Sequence, residues 1–192
     1  TADNSPNQEI FKLVFTHCQI VWDIAKDLID HLPSQISINE DLVRVGALLH
    51  DIGVYKLYDS KGKEDSKNYI KHGLMGEAIL KQEGFDESIF RFASNHTGVG
   101  LTKEDIVHQK LPLLKKNFLA KSNEELLVMY ADKFHSKTNP PRFNTSEYFK
   151  QNIRRYGEDK VVKFEAMIEK FGLPDIDRLA KKYNHEIRSR SE

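Results

Sequence analysis

The residues best suited to chemistry in this chain are histidines and aspartates. His50 and Asp51 are adjacent at the end of an apolar-patterned run through Leu42, Val45, Leu48 and Leu49. Neighbouring helical residues lie about 100 degrees apart around the axis, so an imidazole and a carboxylate placed this way can converge on one ion. A His-Asp dipeptide alone is unspecific in a chain of eight histidines, and other positions add the weight. His17 lies in line with Val14 and Val21 at helical spacing, beside an apolar stripe. Asp132 falls among Val128, Ala131 and His135, where an unpaired buried carboxylate costs on the order of several kcal/mol and calls for a partner cation. His72 stands at a helix start among Gly73 and Gly76, and His96 follows Ile89, Phe92 and Ala93 on an inward face. Any one of these histidines is explained as a core residue bonded to a carbonyl. For several helices each to bury a ligand-type side chain for unrelated reasons is harder to accept.

The elements that must position these groups are helical almost throughout. Phe11, Val14, Cys18, Val21, Ala25, Leu28 and Ile29 step by three and four and describe a long first helix, closed at His31 and Pro33. Ser37 and Glu40 have capping-box spacing, predicting a second helix from about Ser37 to Gly53 that carries His50 and Asp51 near its end. Positions 59 to 68 hold no strongly apolar residue and read as an exposed loop. A third helix is predicted from about His72 to Gly84 and a fourth from about Asp86 to His96, followed by a turn at Gly98 and Gly100. Ser122 and Glu125 open a helix carrying Leu126, Leu127, Tyr130, Ala131, Asp132 and Phe134, which the Asn139-Pro140-Pro141 turn stops. Two amphipathic segments between about Thr145 and Tyr183 are broken at Gly172 and Pro174, and the final NHEIRSRSE is too polar to pack. No convincing period-two strand, internal repeat or second-domain boundary is visible.

The ordered set His17, His50-Asp51 and Asp132, within HCQIVWDIA, ALLHDIG, HGLMGEAIL, ASNHTG and MYADKFHS, resembles the signature of the HD-domain superfamily of metal-dependent phosphohydrolases over roughly positions 10 to 140. The resemblance implies an all-α, bundle-like fold, with 1–192 as a single domain and the helices of about 145–183 as accessories. His72 and His96 are similar to the extra histidines of dinuclear members, which include symmetrical dinucleoside tetraphosphate hydrolases and cyclic-dinucleotide phosphodiesterases. By that resemblance His17, His50, Asp51 and Asp132 hold one ion, His72 and His96 a second, and Asp51 bridges, making Asp51, His72 and His96 the catalytic positions. Two cations about 3.5 to 4 Å apart ionise a water and clamp phosphoryl oxygens for in-line attack. Imidazole and carboxylate donors suit iron, manganese, cobalt, nickel or zinc, and magnesium less well. Several dinuclear relatives carry a lysine three or four positions after the His-Asp pair, whereas here Lys56 stands five beyond Asp51. Lys56 is therefore a weaker candidate for substrate phosphate than Thr97, beside His96, and Arg142, whose planar fork matches phosphoryl oxygens. Lys133 and His135 flank Asp132, but a continuous helix points them elsewhere, and they stay outside the expected set.

Composition narrows the partners. Lysine plus arginine equals aspartate plus glutamate at 29 each, with no basic stripe to draw the chain onto long nucleic acid or an anionic membrane, so a small phosphorylated, nucleotide-like substrate fits best. Cys18 is the lone cysteine, which excludes an internal disulfide and a thiolate metal cage and suits a reducing compartment. With no apolar run near 20 residues and no signal-like start, the sequence reads as cytoplasmic. A G-x-S-x-G elbow, a Walker loop and a G-x-G-x-x-G turn are all absent. The ligand set also suits two other readings, a di-iron oxygenase of the same superfamily and a sensor that binds metal and nucleotide without turnover.

Overall fold

The computed structural model describes residues 4–59 and 61–189. Helix α1 (Gln8–Asp30) begins where the Asn7 side chain accepts from Ile10 N, and it buries Val14, His17, Cys18, Val21, Ala25 and Leu28 on one face. The second helix, α2 (Glu40–Leu49), is capped by Asn39, whose side chain accepts from Leu42 N. Ser37 is therefore not its cap: the asparagine two residues later supplies the acceptor that a helix start needs. Nor does α2 run to Gly53, because the chain tightens after His50 and Asp51 into a 3-10 segment, Ile52–Leu57.

The loop beyond it carries an isolated bridge, Tyr58 with Glu64, and a second 3-10 segment, Ser66–Lys71, that delivers His72 to the start of α3 (His72–Gln82). Asp86 caps α4 (Glu87–Asn95), which ends at His96, and the turn behind it uses Gly98 and Gly100 at positive φ. A short helix unforeseen in the sequence, α5 (Lys103–His108), is opened by a capping box between Thr102 and Asp105. Ser122 caps α6 (Asn123–Ala131) through Glu125 N. Three helices follow where two segments were expected, α7 (Ser146–Ile153), α8 (Glu158–Phe171) and α9 (Ile176–Tyr183).

Helix α6 does not continue through Phe134. It gives way to a 3-10 turn, Asp132–Phe134, and then to strand β1 (His135–Ser136). This strand pairs antiparallel with β2 (Arg142–Asn144), setting His135 opposite Phe143. β2 in turn pairs in parallel with β3 (Glu186–Arg188), setting Phe143 opposite Ile187. The closing polar stretch is thus packed at 185–188, contrary to the reading of that segment as too polar to pack; its last three positions, 190–192, lie outside the described residues. Backbone hydrogen bonds, which need no apolar side chains, hold it there.

Two apolar clusters form the core. The larger joins Ile20, Val21, Ile24, Val43, Leu127, Tyr130 and Phe164 among others, and the smaller joins Ile10, Val14, Cys18, Ile52, Tyr55 and Leu80. His17 stands between Val14 and Cys18 of the smaller cluster, within one turn of Ile20 in the larger. Close approaches fix α3 between its neighbours: a Cβ on Gly53 would lie 2.0 Å from His72 O and 2.3 Å from Gly76 N, and one on Gly73 would lie 2.7 Å from Ala93 O. Only glycines let the backbones carrying Asp51, His72 and His96 come this near to one another.

Candidate metal centre

The six expected donors converge. Ligand atoms of His17, His50, Asp51 and Asp132 lie within 4.8 Å of one another, and so do those of Asp51, His72 and His96, so that Asp51 belongs to both groups. His17 Nε2 is 3.0 Å from Asp132 Oδ1 and 3.3 Å from Asp51 Oδ2, and His50 Nε2 is 3.5 Å from each carboxylate. On the other side of Asp51, Oδ1 faces His72 Nε2 at 3.6 Å and His96 Nε2 at 3.5 Å. His72 and His96 turn their Nε2 atoms toward each other at 2.9 Å. The four histidines and Asp51 are almost wholly buried, while the Asp132 side chain is 15% exposed.

Three of the imidazoles are held by their own chain. His50 Nδ1 donates to Ala47 O at 2.8 Å, His72 Nδ1 to Tyr69 O at 2.7 Å, and His96 Nδ1 to Phe92 O and Ala93 O at 3.0 and 2.8 Å. A carbonyl only accepts, so each Nδ1 carries a proton, and in the neutral ring the lone pair is left on the inward-facing Nε2. At His50 burial opposes the charge, but neighbouring Asp51 favours it and raises the imidazole well above its usual range, so a bound ion would replace a proton there. His50 Nε2 and Asp51 Oδ1 are buried with no hydrogen-bond partner among the described residues. Orphaned polar atoms of this kind are costly unless something binds them. Their position among nitrogen and oxygen donors fits a divalent transition ion, and one on each side of Asp51 accounts for both orphans.

Charges around the donors are strongly perturbed. Burial works to raise the Asp51 carboxyl, yet Lys137 and then His50 hold it well below the usual carboxylate range. Burial opposes ionisation of Asp132 too, and Lys133 outweighs it. His72 is pushed down to about 3 by burial and by neighbouring His96, and burial lowers His96 as well. Both are neutral, the form that binds metal.

Lys133 and Lys137 are the charged groups against the donor carboxylates that helical projection missed. Lys137 Nζ pairs with Asp51 Oδ2, and although burial disfavours its charge, Asp51 keeps it protonated. Lys133 Nζ donates to Asp132 Oδ2 at 2.6 Å and to His96 O at 2.9 Å. His135 lies with its Nδ1 2.8 Å from His17 Nδ1. All three turn inward because the chain leaves the helix at Ala131, so the geometry that would have pointed Lys133 and His135 away does not apply. Basic residues one, three and five positions after Asp132, before a proline turn, were the available signal.

The expected substrate contacts are dispersed. Thr97 lines a cavity of about 430 Å³ beside His96. Arg142 lies on β2 with Nε 3.3 Å from Glu186 Oε2, though without an aligned hydrogen bond. Lys56 is exposed on the 3-10 segment after Asp51 and lines a shallow surface hollow with Tyr58, Asp59 and Lys67.

The HD domain family model matches residues 14–137. An uncharacterized protein of Methanocaldococcus jannaschii is 32% identical over 147 residues, 76% of this chain and 79% of that protein. The tRNA (cytidine(56)-2'-O)-methyltransferase of Picrophilus torridus is 36% identical over 120 residues, 62% of this chain but 30% of its own length. Its counterpart in Thermoplasma volcanium is 32% identical over 107 residues, 56% of this chain and 28% of its own length. Among solved structures, the HD domain of the L. monocytogenes phosphodiesterase PgpH in complex with cyclic-di-AMP aligns with a TM-score of 0.54 at 16% identity, covering 97% of this chain and 96% of that one. At that identity the likeness shows the shared fold, which is all-helical apart from the small sheet.

Proposed function

The chain belongs to the HD domain family, and on that premise we propose that it is a metal-dependent phosphohydrolase acting on a phosphoester or phosphoanhydride of a small, nucleotide-like substrate. The observation that carries this is Asp51, one buried carboxylate shared by two groups of donors and flanked by a protonated lysine. His17, His50, Asp51 and Asp132 would hold one ion, and Asp51, His72 and His96 a second. Bound there, the ions supply the Lewis acidity that ionises water near neutral pH and the charge that offsets phosphoryl oxygens.

The protein's own groups supply the rest. Carbonyls of Ala47, Tyr69, Phe92 and Ala93 fix three imidazoles in the ligating tautomer before any ion arrives, which limits reorganisation during the reaction. Lys137 keeps its proton beside Asp51, so it acts as a point charge that orients the anionic phosphoryl group rather than as a proton donor. Lys133 ties Asp132 to the backbone of His96 and so couples the two donor groups.

The cavity beside His96 would take the body of the substrate. Ile70 and Thr97 in its wall stand two residues and one residue from His72 and His96, and Leu111, Phe149 and Asn152 help to line it. A mostly apolar recess with an aromatic ring and a carboxamide suits a flat nucleobase better than a bare phosphate. In the L. monocytogenes structure the bound molecule is a cyclic dinucleotide, in keeping with a nucleotide-like substrate here. The test is a screen of nucleotides, cyclic dinucleotides and simple phosphomonoesters with manganese, cobalt, nickel and ferrous iron. Metal-dependent release of product is expected, and no turnover by protein shown to carry metal overturns the reading.

A further inference from the structure

Of the four histidines at the centre, His17 alone is oriented by a side chain. The other three give Nδ1 to carbonyls of their own helix or helix entry, partners that no substitution removes. His17 turns Nδ1 to His135 Nδ1 at 2.8 Å. His135 in turn places Nε2 3.1 Å from His185 Nδ1. The rings follow one another in a stack, with centroids 5.1 Å apart at 29° and then 5.3 Å apart at 21°. His135 is buried, and His185 is half-buried just ahead of β3.

We infer that His135 and His185 are positioning residues of the metal centre, a relay of hydrogen bonds by which the C-terminal strand sets the tautomer and aim of His17. The inference rests on His17 Nε2 being a metal ligand, as the proposed function requires. Hydrogen-bond accounting then leaves one arrangement of neutral rings. With the Nε2 lone pair directed at the ion, His17 carries its proton on Nδ1 and donates to His135 Nδ1. His135 must therefore carry its own proton on Nε2 and donate to His185 Nδ1.

The small sheet is what holds the relay in line. β1 carries His135 opposite Phe143, whose ring meets the imidazole edge to face at 5.0 Å, and Phe143 lies opposite Ile187, two residues after His185. Asn144 clamps the same three segments from the side. Its Nδ2 donates to Lys133 O at 3.0 Å, and its Oδ1 accepts from Arg188 Nε at 3.1 Å. His135, 118 positions after His17, and His185, 50 positions further on, are thereby built into the support of a ligand on α1, and removal of such a partner lowers metal affinity by about 10- to 100-fold in other sites.

The experiment is a chelator-competition titration of the full chain with cobalt(II), comparing the parent with His135→Phe, His135→Gln, His185→Ala and His185→Gln. Circular dichroism of each metal-free protein checks the fold. His135→Phe fills the space without an acceptor and is expected to weaken cobalt at the weaker-bound or stronger-bound site by about 10- to 100-fold. His135→Gln keeps an acceptor for His17 and a donor for His185, and should recover most of that loss. His185→Ala should cost a smaller factor, which His185→Gln restores. The cobalt absorption band should shift in the two apolar variants and return in the two glutamine variants, a signature that general loosening of the fold does not produce. Unchanged affinity and spectrum in His135→Phe, or equal loss in the phenylalanine and glutamine variants, overturns the relay while leaving the metal centre intact. If His135→Phe does not fold, the His185 pair decides in the same way. A parent that binds no cobalt removes the metal centre itself.

Discussion

Substituting Gly53 by alanine tests whether close backbone packing assembles the two donor groups. The new Cβ would lie 2.0 Å from His72 O, where 3.4 Å is the near edge of ordinary contact, so a gap of about 1.4 Å must open. The obstructing atoms are backbone of α3, at His72 and Gly76, and cannot be relieved by a rotamer change. The start of α3 has to move away from Asp51, carrying His72 Nε2 beyond its present 3.6 Å from Asp51 Oδ1. Overpacking of this kind costs about 1 to 3 kcal/mol, which for a chain of this size lowers Tm by roughly 2 to 12 °C. The assay is a thermal melt of the chelated protein together with calorimetric titration of manganese. Lower Tm and selective weakening of one of two manganese ions are expected. A Tm within about a degree of the parent's, with both ions bound as before, would refute the claim that this glycine sets the spacing of the ligands.

Other perturbations give equally definite outcomes. Lys137→Met should leave manganese affinity unchanged or tighter, since the ammonium that faces Asp51 is gone, while turnover by the loaded protein falls by about 10²- to 10³-fold, the usual loss for one preorganised charge partner; steady-state kinetics beside calorimetry reads both. Saturating manganese at about 100 times Kd should stabilise the parent by about 2.7 kcal/mol, a rise in Tm of roughly 5 to 11 °C, and chelator or Asp51→Asn should abolish it. Away from the centre, Lys160 Nζ pairs with Asp105 Oδ1 at 2.7 Å. Burial opposes both charges, but Lys160 and the Thr102 hydrogen bonds depress Asp105, and Asp105 raises Lys160. The Asp105 contribution is therefore complete above its unfolded pKa of about 3.9 and lost as pH falls below it, whereas the Lys160 contribution is complete below about 10.4 and lost as pH rises past it. Urea melts of Asp105→Asn should show a deficit at pH 7 that shrinks toward pH 2, and a constant deficit would contradict the assignment.

Much of the architecture is legible in the amino-acid order, for identifiable reasons. The stripe of Phe11, Val14, Cys18, Val21, Ala25 and Leu28 continues for about five turns, long enough for periodicity to specify α1 and to place His17 on its inner face. Asp86 and Ser122 mark helix starts because a side-chain acceptor there meets backbone donors that would otherwise be unpaired. At the start of α2, Ser37 and Asn39 compete for that role, and spacing alone favours the wrong one. Lys133, Lys137, His135 and His185 escape for another reason. Their directions depend on a break from helix to 3-10 turn to strand at Ala131, and on a sheet whose strands run two or three residues. Such strands are too short for an alternating pattern, and the β2–β3 pairing joins segments more than 40 residues apart in the chain. Individual donors can be read from local patterns, whereas their outer supports are set by long-range pairing.

The most direct measurement is the number of ions the chain holds. Calorimetric titration of chelated protein with manganese, checked by elemental analysis of the dialysed complex, should give two ions per chain in the parent, one in His72→Ala and in His96→Ala, and none retained in Asp51→Asn. A parent that binds no ion, or an Asp51→Asn variant that still binds two, would contradict a centre built around one shared carboxylate.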